Sequence, residues 1–84
     1  MRVETINEPI ETIIHFTPQS INVLRFKWNN RAYKVQKTTQ RYFRTEGTIK
    51  ILHFAVIADN QDNFDLSFNL ETFKWKIERV CLYG

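Results

Sequence analysis

Apolar and polar residues alternate with a period of two along most of the chain, most clearly between Leu24 and Val35. There Leu24, Phe26, Trp28, Tyr33 and Val35 are interleaved with Arg25, Lys27 and Lys34, and Asn29-Asn30 supplies two residues that tolerate the positive φ of a tight primed turn. This predicts a β-hairpin in which Leu24 meets Val35 and Phe26 meets Tyr33 on a buried face. Arg25 meets Lys34 on the other face, an unfavourable pairing of like charges unless that face is solvated or meets something negative.

The flanking segments read the same way. Residues Met1 to Pro9 are mostly polar and read as a loose arm or a short edge strand. Ile10 to Phe16 is a first strand, ended by Thr17-Pro18-Gln19-Ser20, and Ile21 opens the hairpin. Its second arm extends from Arg31 past Gln40 to about Phe43, because Thr38, Thr39, Tyr42 and Phe43 suit a pleated surface. Thr45-Glu46-Gly47-Thr48 is a turn. Ile49 to Asp59 is almost wholly apolar, which marks a central strand covered on both faces.

After the loop Asn60 to Asn63, Phe64, Leu66, Phe68 and Leu70 alternate with polar residues, and so do Phe73, Trp75 and Ile77. A two-residue turn at Glu71-Thr72 sets Phe68 against Trp75 and Leu66 against Ile77. The apolar parity then jumps to Val80 and Leu82, which predicts a β-bulge near Glu78-Arg79. The resulting expectation is an all-β, five- to six-stranded antiparallel meander curled into a small barrel or half-barrel. The spacing of Ile6, Ile10, Ile13 and Ile14 also suits a short helix, so an α+β variant stays open.

Composition narrows the class. The chain has 84 residues, enough for one domain with a thin core, and 43% of them are hydrophobic, which argues against general disorder. Its single cysteine, Cys81, cannot form an intramolecular disulfide, and it reads as a buried, unreactive thiol. With no apolar run of spanning length and no signal-peptide pattern, a cytoplasmic protein away from membranes is the expectation.

Charge is uneven. Arg25 to Lys50 carries eight basic residues against Glu46 alone, while both flanking segments are net acidic. Arg25, Lys27, Lys34, Lys37, Arg41 and Arg44, interleaved with Tyr42 and Phe43, are therefore candidates for a nucleic-acid-binding face. A solvated, lysine-bearing sheet face that discourages edge pairing is the simpler reading. Trp28 and Trp75 fall on the apolar parity of their strands and read as core.

Catalytic and metal chemistry find little support. His15, His53 and Cys81 are widely spaced, too few for a structural zinc site, and His53 reads as hydrogen-bonded in or near the core. Asp59, Asp62 and Asp65 lack the glycine and glutamate of a calcium loop and read as polar surface positions. The two glycines, Gly47 and Gly84, exclude a phosphate loop. No cofactor, metal or enzymatic activity is expected.

The succession Phe26, Trp28, Arg31, Tyr33 and Val35, followed by Phe54 and Val56, Phe64 and Leu66, and Trp75 and Ile77, resembles the pattern of a small uncharacterised bacterial all-β domain family. The chain departs from it at Asn30, where a Gly is usual, and at Tyr42-Phe43, where a Trp is usual. The resemblance implies the same β-fold and carries over no assigned activity; some members are encoded near DNA-damage polymerase genes, which suits a nucleic-acid or repair-complex role. The functional expectation is a non-catalytic binding module for a protein partner or a second copy, paired through the strand at Ile10 to Phe16 or at Val80 to Tyr83, with nucleic-acid binding as the alternative.

Overall fold

The computed structural model describes residues 2–82. All of its regular structure is β: β1 (Arg2–Pro9), β2 (Glu11–Phe16), β3 (Ile21–Trp28), β4 (Arg31–Glu46), β5 (Ile49–Ala58), β6 (Asn63–Asn69) and β7 (Trp75–Leu82). They form one seven-stranded antiparallel sheet in the order β1-β7-β6-β5-β4-β3-β2. The strand count thus exceeds the expected five or six, and no helix occupies the N-terminal third. Residues 2–9 are an edge strand paired with β7 rather than a loose arm. β1 and β2 follow each other in sequence yet lie at opposite edges, with no ladder between them, so the sheet is not closed into a barrel.

The β3–β4 hairpin has the predicted register, with Arg25 opposite Lys34, Phe26 opposite Tyr33 and Trp28 opposite Arg31. Asn29 and Asn30 take φ of 54° and 62°, as a primed turn requires. β5 is central, as expected, and pairs with β6 without interruption. The β6–β7 pairing also has the predicted register, Phe68 to Trp75 and Leu66 to Ile77, with Glu78 as the extra residue of the predicted bulge.

Other expectations fail at turns and bulges. The β6–β7 connection is longer than two residues: the Asn69 side chain accepts from the amides of Glu71 and Thr72, and Phe73 adopts φ 60° and lies exposed. Leu24 is 45% exposed instead of facing Val35, which pairs with Ala58. The register with β2 changes from Ile13–Arg25 to Ile14–Val23, so Leu24 is an extra residue of β3, turned outward while Val23 and Phe26 stay buried.

The core is built on one face of the sheet from Phe26, Tyr33, Phe54, Val56, Phe64, Leu66, Ile77 and Val80. The rings of Phe26 and Tyr33 stack at 4.9 Å and both meet Phe64 edge-on, so the β3–β4 arm bends over β6. Two bulges in β4, at Gln36 and Thr39, supply the bend. Trp28 and Trp75 are half-buried and pack on this core, as their parity predicts. The Trp28 indole donates to Glu8 Oε1 at 2.7 Å and so ties β3 to β1 across the fold.

Candidate interaction surfaces

Directly opposed residues in a ladder share a face, so the registers place every candidate side chain. Arg25 and Lys27 of β3 and Lys34 of β4 lie on the outer face of the hairpin, away from Phe26 and Tyr33. The Gln36 bulge shifts the parity of β4, and Lys37, opposite Ile57, also reaches this outer face. These four cations form the continuous part of the expected basic surface. Glu11 sits among them, opposite Lys27.

The remaining two candidates are diverted. Arg41 faces the core side, where its guanidinium donates to the Ile21 carbonyl at 3.2 Å and to Asn22 Oδ1 at 2.5 Å, bracing β4 against β3. Arg44 is on the outer face but lies 3.0 Å from Glu46 and 3.4 Å from Glu78. The expected six-residue patch is therefore a four-residue patch containing one acid.

Beyond the Thr39 bulge, the outer face of the sheet holds a polar groove that sequence reasoning missed. Its floor is His53, only 3% exposed, with Asp65 beside it. His53 Nδ1 lies 3.4 Å from Asp65 Oδ1, and Arg79 closes on the other carboxylate oxygen at 3.0 to 3.1 Å. Hydrogen bonding and the charge of Asp65 hold the Arg79 guanidinium above its ordinary pKa. Tyr42 stacks on the imidazole at 4.8 Å, nearly parallel. His53 thus fits its sequence reading, whereas Asp65 is buried instead of lying on a polar surface turn. Only its spacing two residues from Ser67 on the central sheet could have suggested this. His53 Nε2 is buried and makes no hydrogen bond to the described residues, so no nucleophile is positioned on it. Among the described residues no three His, Cys, Asp or Glu side chains gather into a metal site. Cys81 is half-buried.

The third surface is the free edge of β2. The candidate at Val80 to Tyr83 is not an edge, because β7 is flanked by β1 and β6; Tyr83 lies outside the described residues. Among the described residues β2, in contrast, pairs only with β3. The two-residue turn at Asn29-Asn30 closes on a hydrogen-bonded pair, and bonding alternates from there. Arg25 and Lys27 therefore direct their backbone groups to Ile13 and Glu11 of β2, and the backbone groups of Thr12 and Ile14 point out of the sheet. Beside this row Ile13 is 59% and Phe16 63% exposed. β2 contains no Lys, Arg or Pro.

No family model matches the chain, and no curated protein or solved structure matches it. No helix among the described residues is long and apolar enough to cross a membrane.

Proposed function

We propose that this chain is a non-catalytic protein-binding module that receives an extended strand on the free edge of β2. The observation that carries this reading is the edge itself: a six-residue strand whose Thr12 and Ile14 backbone groups face outward, with two exposed apolar side chains and no Lys, Arg or proline. Exposed edges of this kind are templates for another strand, and natural sheets blunt them with Lys, Pro or bulges unless pairing is their purpose. Backbone groups would supply affinity, and Ile13 and Phe16 would set which side chains the incoming strand presents. A cytoplasmic setting is part of the proposal.

The test is a fluorescence-anisotropy titration with a panel of labelled eight-residue peptides of alternating apolar and polar sequence, against the protein and its Thr12→Pro variant. Proline removes an outward amide at a position where an edge strand tolerates it. Binding by the protein and its loss in the variant are expected. Failure of every peptide to bind would remove β-strand addition as the mode.

Nucleic-acid binding is the second reading, favoured by the shared outer face of Arg25, Lys27, Lys34 and Lys37. It predicts oligonucleotide binding that collapses as salt rises and disappears in a Lys27→Glu, Lys34→Glu double variant of unchanged fold. Equal affinity in that variant would dispose of it.

A further inference from the structure

Resting on the edge reading, we infer that the strand received by β2 is β2 of a second copy, antiparallel about a two-fold axis through Ile13. Each registration of two such edges has a distinct pattern of facing residues. A two-fold perpendicular to the sheet keeps outer-face residues opposite outer-face residues, so the axis must pass through a residue rather than between residues. Glu11, Ile13 and His15 share the outer face, opposite Lys27, Arg25 and Asn22 respectively. Thr12 and Ile14 share the core face, opposite Phe26 and Val23.

With the axis at Ile13, Thr12 of one copy faces Ile14 of the other, and these are the residues whose backbone groups point outward. Each such pair exchanges both its hydrogen bonds. Ile13 meets Ile13 as a non-hydrogen-bonded pair, the closer of the two spacings, which covers the exposed isoleucines with each other. Glu11 faces His15 of the second copy at both ends, so the acid of one strand meets the only basic side chain of the other. Phe16 falls opposite Ile10 of the second copy. The Ile10 amide already donates to the Trp75 carbonyl at 3.2 Å, so the new ladder ends there.

Neighbouring registrations do worse. An axis at Ile14 pairs as many residues but sets apolar Ile13 against polar His15 and Thr12 against Phe16, and puts Glu11 opposite Thr17 instead of an imidazole. An axis at Thr12 sets Glu11 against Ile13 and leaves His15 and Phe16 without partners. The Ile13 axis is the registration that sets the exposed isoleucines against each other and the Glu11 carboxylate against the His15 imidazole at both ends. A single short strand pair buries less than a standard interface, so the dimer should be of about micromolar affinity.

The experiment is sedimentation equilibrium of the full chain from about 1 µM to about 1 mM, combined with site-specific cross-linking. A reversible monomer–dimer equilibrium is expected, weakened at least about tenfold by Ile13→Lys, whose exposed site leaves the fold intact by circular dichroism. In a Cys81→Ser background, Ile13→Cys should form an intermolecular disulfide on mild oxidation with an added disulfide oxidant, because the facing residues are adjacent across the axis. Glu11→Cys should not, because its copies are separated by the length of the ladder. A dimer indifferent to Ile13→Lys, or one cross-linked as readily through Glu11→Cys, overturns this register. A monomer at every concentration overturns self-pairing; the peptide titration then decides separately whether the edge accepts a different strand.

Discussion

The two edges of this sheet are built from adjacent segments of chain and are treated in opposite ways. β1 carries Arg2, Glu4, Glu8 and Pro9, and its register is broken by a bulge between Thr5 and Glu8 where Asn7 takes φ 54°. Its Glu8 is also held by the Trp28 indole. Charge, proline and a bulge are the means by which an edge is made a poor template. β2 has no proline, no bulge and, past Glu11 at its start, no Asp, Glu, Lys or Arg, and the break in its ladder falls on β3, at Leu24. An edge can thus be left open while its neighbour is bent to fit it, which keeps the exposed row of backbone groups straight.

Four substitutions separate anchoring from openness. Ile77→Ala is expected to have the largest effect, about 2–5 kcal/mol, since Ile77 is wholly buried where β1, β7 and β6 meet; chemical denaturation would measure a collapse of the whole sheet rather than release of one edge. Asp65→Ala should cost roughly 1–3 kcal/mol, because it leaves the buried His53 and the Arg79 guanidinium without their shared partner. A thermal melt that did not move would show that the groove adds nothing to the sheet that carries β1.

The raised pKa of Arg79 gives a pH expectation. A base whose folded-state pKa is raised contributes stability that is fully present below its unfolded value and lost only as pH climbs through the folded one, here in strongly alkaline solution. Its contribution should therefore be level across the neutral range, which denaturation at a series of pH values would check.

Trp28→Phe removes the bond to Glu8 and should cost about 0.5–1.5 kcal/mol while raising amide exchange in β1 but not in β2. Smallest is Ile13→Lys, within about 0.5 kcal/mol by denaturation, since the side chain is already in solvent. A stability loss as large as that of Trp28→Phe would mean that Ile13 supports the fold and is not held free for pairing. Hydrogen exchange sharpens the same contrast: the Thr12 and Ile14 amides should gain protection as protein concentration rises, and outward amides of β1 should not.

Sequence legibility follows how many signals agree at a site. The β3–β4 hairpin was readable because its turn residues and its alternation point to one register, and the Glu78 bulge because Ile77 and Val80 are out of step. Leu24 was not, because alternation back from Phe26 turns Leu24 inward, and only the extra residue in β3 puts the adjacent, equally apolar Val23 there instead. The basic patch was half readable: alternation alone cannot see that the Gln36 and Thr39 bulges each reverse the parity of β4, sending Lys37 outward and Arg41 across the sheet. Asp65 looked like a surface acid because its burial depends on Tyr42 and Arg79 from two other strands. The docking of β1 on β7 left no local trace, since strand pairing at that separation is a property of the finished sheet.

That last pairing has a kinetic meaning. The ladder joining Arg2 to Leu82 spans nearly the whole chain, whereas the hairpins between β3 and β4 and between β4 and β5 close over a few residues. On a ribosome β1 would wait for β7 to emerge, and until then β6 would be a temporary edge. Contacts of such long range slow folding towards the millisecond-to-second regime, so the order of events runs opposite to the order of synthesis for one strand in this sheet.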